Sequence, residues 1–108
     1  MATTYKVLGQ VSPSATTATT LYTVPSATST VASTLVICNR STATTVRVAV
    51  RPAGATLANE HYIIYDYAVN GNDSVFMTIG LTLAATDVVT VYAGTANVSF
   101  NLYGSEVA

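Results

Sequence analysis

His61 is the single histidine of the chain and therefore its only side chain built to exchange a proton near neutral pH. A Ser-His-Asp relay needs such a base beside a nucleophile held in a strained turn. Glu60 and Asp66 lie close to His61 in sequence, but no Ser or Cys stands in a Gly-x-Ser-x-Gly setting. His61 is therefore expected at the start of a strand, hydrogen-bonding a loop. Two-carboxylate chemistry would need a facing pair across a cleft. Glu60, Asp66, Asp73, Asp87 and Glu106 instead fall mostly at turns and ends, where carboxylates bond backbone amides. One histidine, one cysteine and scattered carboxylates form no metal-ligand cluster, and the glycines stand singly, so no phosphate loop is formed. No catalytic, cofactor-binding or metal-binding residue is assigned, no cofactor is expected, and the chain is not read as an enzyme.

Cys38 is the only cysteine, which excludes an intramolecular disulfide. It closes the apolar run Leu35-Val36-Ile37-Cys38, where a buried, inert thiol is expected. Arg47 and Arg51 share one strand face, but two charges do not make a nucleic-acid surface, and a structural ion pair or an intersubunit contact is the better reading. The seven tyrosines concentrate at Tyr62, Tyr65 and Tyr67. Such rings fill cores and interfaces or stack on sugars; without Trp and without clustered polar partners, core or interface is favoured.

Eight short segments must position these residues. They are 5–11, 20–24, 30–39, 45–51, 60–69, 75–83, 86–93 and 97–103, each with period-2 or continuous apolar patterning and bounded by turn residues. In 45–51, Val46, Val48 and Val50 alternate with Arg47, Ala49 and Arg51, so the valines should point inward. Segment 30–39 carries apolar side chains in both registers, as a strand covered on both sides does. In 60–69, His61, Ile63, Tyr65, Tyr67 and Val69 share one face. Asn70-Gly71-Asn72-Asp73 is a tight-turn signal, which predicts a hairpin between 60–69 and 75–83. The last two segments are expected to pair through Gly94-Thr95-Ala96. The fold class is all-β: residues 1–108 form a single domain, a two-sheet antiparallel sandwich of about eight strands, immunoglobulin-like or jelly-roll, with a closed barrel the lesser alternative.

Charged residues make up 8% of the chain against roughly 25% in ordinary domains, and the net charge is −1. Thr, Ala, Val and Ser together exceed half of it. So little charge repels further copies weakly and suits a surface that meets other protein. No apolar run approaches the ~20 residues of a membrane span, and no membrane or nucleic-acid partner is expected. The first residues, Met1 to Lys6, lack the pattern of a secretory signal, so synthesis in a cytoplasm is expected. Asn39-Arg40-Ser41, Asn72-Asp73-Ser74 and Asn97-Val98-Ser99 match the N-glycosylation pattern by chance in a chain this rich in Ser and Thr. Both ends, Met1 and Ala108, are expected to be held by neighbouring subunits.

Three stretches carry a resemblance: Val50-Arg51-Pro52-Ala53-Gly54-Ala55, His61-Tyr62-Ile63-Ile64-Tyr65-Asp66, and the run from Gly80 through Asp87 continuing in Val98 to Glu106. They resemble small β-sandwich virion structural proteins of tailed bacteriophages, cyanophages in particular. The resemblance implies a capsid cement or decoration protein that binds the major capsid protein or another virion structural protein, as a homo-oligomer, located in the virion after assembly in the bacterial host cytoplasm. It implies no catalytic residues. A minor tail, baseplate or fibre-attachment component is the alternative within that family, and a receptor- or glycan-binding module using the tyrosines is the alternative outside it.

Overall fold

The computed structural model describes residues 2–108. Eight strands follow one another: β1 (Thr3–Val11), β2 (Thr19–Thr23), β3 (Ser29–Asn39), β4 (Thr44–Arg51), β5 (Tyr62–Val69), β6 (Asp73–Leu83), β7 (Val88–Ala93) and β8 (Val98–Val107). Two single 3-10 turns, Pro52–Gly54 and Asn59–His61, interrupt the connection from β4 to β5. The strands form two antiparallel four-stranded sheets, ordered β1-β8-β3-β6 and β2-β7-β4-β5. That order is the jelly roll, which decides between the two sandwich topologies left open by sequence.

Only β4 and β5 are both consecutive and paired. The expected hairpin of β5 with β6 is not formed. The reversal at residues 70–72 exists, with Asn72 at φ +53° and its N–H on the Ser41 carbonyl, but it carries the chain from one sheet to the other. β6 pairs with β3 from Asn39↔Asp73 to Thr30↔Leu83, and this long register outweighs local pairing across the turn. Likewise β7 and β8 are not partners: β8 lies between β1 and β3, and β7 between β2 and β4.

The core is the space between the sheets. Leu35, Ile37, Phe100, Leu102 and Val98 from the first sheet meet Val46, Val48, Val89 and Val91 from the second, all essentially inaccessible. Each buried side chain of this size contributes about 1.5–3 kcal/mol of transfer free energy. The valines of β4 point inward as their alternation predicts. β3 differs from expectation: a bulge at Ser33 breaks its register with both neighbours. Ala32 before it and Leu35 and Ile37 after it thus all face the core, while Val31, Thr34, Val36 and Cys38 face outward. The double apolar register therefore records a bulge, and the chain itself covers only one side of the strand.

β1 crosses β2 at the margin of the sandwich, and Gly9 makes this possible. A Cβ there would stand 2.2 Å from the Leu21 carbonyl oxygen. Asn39, at the end of β3, is buried and donates from Nδ2 toward the carbonyls of Thr42 (2.8 Å), Asn70 (3.2 Å) and Val69 (3.3 Å), while its Oδ1 accepts the Ser41 N–H. One side chain thus ties the β3–β4 turn to the end of β5. A second polar knot sits between the sheets, where the Tyr22 hydroxyl bonds Thr30 and the Glu106 carboxylate, and Lys6 reaches Glu106 at 3.4 Å. At the chain end, Ala2 and Ala108 exchange two backbone hydrogen bonds. Ala108 is therefore held by its own β1 side and needs no neighbour; Met1 lies outside the described residues.

Candidate functional site

The outer faces of the two sheets differ in kind, and the difference begins with where the charges go. Lys6 and Glu106 sit on the inward register of β1 and β8; Arg47, Arg51 and Asp66 belong to the second sheet; Arg40, Glu60, Asp73 and Asp87 occupy turns and strand ends. Of the nine only Arg40 reaches the outer face of β1-β8-β3-β6, at one end, where it donates to Ser12 Oγ at 2.7 Å. Cross-strand rows on that face read Tyr5-Ser105-Val31-Thr82, then Val7-Tyr103-Thr34-Thr78, then Gln10-Asn101-Val36-Phe76, then Ser99-Cys38-Ser74. Tyr5 is 84% exposed, Phe76 75% and Val31 43%. Between Tyr5, Val7, Val31 and Tyr103 the face dips into an open depression of about 560 Å³. Cys38 lies on this face and is half-buried, so the expected full burial of the thiol is not met.

Part of the outer face of the second sheet is covered by the chain itself. Arg51 donates from Nη1 to the carbonyls of Ala55 (3.0 Å) and Gly54 (3.4 Å), and from Nε to Thr90 Oγ1 at 3.1 Å. Asp87 accepts the N–H groups of Ala53 and Ala84, both at 2.9 Å. These bonds lay residues 52–55 against the sheet, and Val88, Thr90 and Ala49, all on the outward register, are buried in consequence.

Beside that loop stands an aromatic cluster. The Arg47 guanidinium carbon lies 4.2 Å from the Tyr65 ring centroid and 4.5 Å from that of Tyr92, held between the two. Its Nε donates to Asp66 at 2.6 Å, and this bond raises the arginine pKa. Asp66 takes φ +51° at a bulge where β5 slips against β4. The slip divides the face expected for β5: Val69 is buried in the core whereas Tyr65 turns outward to Arg47, and Ile64, from the opposite register, packs against the core. Tyr62 and Tyr65 meet at 4.9 Å and 82°, forming with Asn59 a small open corner of about 480 Å³.

No family model matches the chain, and no curated protein matches its sequence.

The sequence candidates fall as follows. His61 Nδ1 accepts the Ala58 N–H at 3.0 Å, inside the turn that opens β5, which is the loop-bonding role its type and position suggest. Asp73 and Asp87 bond backbone amides, as carboxylates at turns do, and Arg47 belongs to a structural ion pair. Glu106 departs from the turn-and-end pattern, because β8 runs on to Val107 and carries it between the sheets. There burial, and after it the bond to Glu106, raise the Tyr22 pKa to about 12. Of the seven tyrosines only Tyr22 is a core residue, while Tyr5, Tyr65 and Tyr67 are exposed. Among the described residues no group of three His, Cys, Asp or Glu converges on one point, and no helix is long and apolar enough to cross a membrane. Asn39 and the Arg47–tyrosine sandwich were not readable as units, because each depends on strands brought together only by the sheet order.

Proposed function

We propose that the chain is a structural virion protein of the cement or decoration type, which docks on a protein shell through the outer face of β1-β8-β3-β6 and stabilises that shell. The observation that carries this reading is the scarcity of charge on that face, where Arg40 at one end is the single charged side chain, in a chain whose other broad face is partly covered by residues 52–55, held there by Arg51 and Asp87. Docking across the rows between Tyr5 and Phe76 desolvates hydroxyls, amides and apolar groups and leaves Arg40 at the rim, so it avoids the largest cost of forming an interface. Exposed Tyr5 and Phe76 at its two edges are the kind of aromatic residue that anchors interfaces. Jelly rolls also serve as lectins and as metal-dependent barrels, so the fold alone does not choose among these functions. The resemblance of residues 50–55, 61–66 and 80–106 to phage virion proteins supports the shell assignment.

Many copies on a repeating lattice would add weak contacts into firm attachment, particularly if the chains themselves associate. Quantitative mass spectrometry of purified particles tests the reading. Copy numbers in the hundreds per particle are expected for a cement protein, whereas a handful would move the chain to the tail or baseplate.

A further inference from the structure

We infer that the corner formed by Asn59, Tyr62 and Tyr65 is a binding site for a neutral sugar unit. The two rings stand at 82° to one another, so they make two walls with different surfaces. Hexose rings present a C–H face that packs on an aromatic ring, with hydroxyls around the rim that need hydrogen-bonding partners. Tyr65 and Tyr62 supply the aromatic walls and phenolic hydroxyls. Asn59 supplies an exposed amide that makes no side-chain hydrogen bond among the described residues.

The aromatic wall is also held in place before any ligand arrives. Tyr65 is 58% exposed, a degree of exposure at which a tyrosine ordinarily samples several rotamers. Here it is buttressed by Arg47, which is itself clamped by Tyr92 and Asp66. A ring fixed before binding loses little freedom when a ligand arrives. The corner's volume, about 480 Å³, falls within the range of small-ligand sites and accommodates one or two sugar rings. Charge selects the sugar class. The nearby cation, Arg47, is already neutralised by Asp66, and Glu60 adds a carboxylate next to Asn59, so an acidic sugar gains no partner and meets repulsion. The corner lies on the second sheet, opposite the docking face, and its occupancy does not depend on docking.

The test is titration of the purified chain with maltohexaose and with cellohexaose, followed by backbone-amide NMR shifts. Saturable shifts confined to residues 59–66 and 92, with affinity near about 1 mM, are expected for at least one oligomer. Tyr65→Ala should weaken binding at least tenfold and Asn59→Ala severalfold, while Tyr5→Ala on the opposite face should change nothing. Both substituted positions are exposed, and a retained amide spectrum shows that each variant is folded. The inference is overturned if neither oligomer shifts these amides at about 10 mM, if the shifts centre on Tyr5 and Tyr103, or if a folded Tyr65→Ala variant binds like the parent. Capture of a protein at this corner without any sugar response would also overturn it. None of these outcomes bears on copy number in particles, so the docking reading stands or falls separately.

Discussion

Placing one charge in the uncharged rows of the β1-β8-β3-β6 face should separate docking from folding. Phe76 is 75% exposed and sits on edge strand β6 in the row Gln10-Asn101-Val36-Phe76. Exchanging it for Glu removes no core contact, so the free chain should stay within about 0.5 kcal/mol of the parent and its melting temperature should move by only a few degrees. In the docked state the same exchange acts twice. Full burial of a Phe side chain is worth about 1.5–3 kcal/mol, and with three-quarters of the ring still exposed in the free chain, roughly 1–2 kcal/mol of it remains for the interface to gain. The new carboxylate must in addition lose water where neither its own row nor the adjoining ones hold a cation to receive it, which costs at least a further ~2 kcal/mol. Together these weaken each contact by about 3 kcal/mol or more, a loss above a hundredfold. Co-sedimentation of the chain with particles lacking it measures the effect, with Glu60→Lys on the other side as a charge-changing comparison. Retention of Phe76→Glu within threefold of the parent would refute the reasoning, as would a large fall in its own stability.

Other expectations concern the fold that presents the face. Asn39→Ala removes the Nδ2 bonds to the turn and β5 carbonyls together with the acceptor of the Ser41 N–H, which predicts a loss of about 2–4 kcal/mol and a fall in melting temperature of about 10–25 °C by calorimetry. Gly9→Ala forces a methyl group onto the Leu21 carbonyl and should cost at least about 2 kcal/mol in a urea titration. Tyr22 has a pKa raised from 10 to about 12 in the folded chain, so folding favours its protonated form. Its contribution is complete below pH 10 and is lost as the pH climbs toward 12, with an upper bound of about 3 kcal/mol. Denaturation midpoints measured across that window should fall for the parent and fall less for Tyr22→Phe.

Strand positions were legible because the period-2 alternation of β4 and β6 is strong and Pro or Gly-Asn phrases bound most segments. Partner choice was not. The Asn70–Asp73 reversal looks the same in sequence whether it joins two paired strands or passes between sheets, and only the pairing of β6 with β3 decides. Bulges hid two further features. The slip at Ser33 made β3 read as doubly covered, and the slip at Asp66 made Tyr65 and Val69 read as neighbours on one face. The turn-holding roles of His61 and Asp87 were legible from their types and positions. What composition could not reveal was the distribution of its few charges. Low charge over the whole chain became one face with Arg40 alone at its end only when β1, β8, β3 and β6 were set side by side.

Radical footprinting of the aromatic side chains, in the free chain and on intact particles, tests the docking claim most directly. Tyr5 and Phe76 are open on the proposed contact face and Tyr65 is open on the opposite one. On the particle Tyr5 and Phe76 should lose their reactivity while Tyr65 keeps its own. Protection of Tyr65 with Tyr5 and Phe76 still reactive, or no protection at any of the three, would contradict the docking claim.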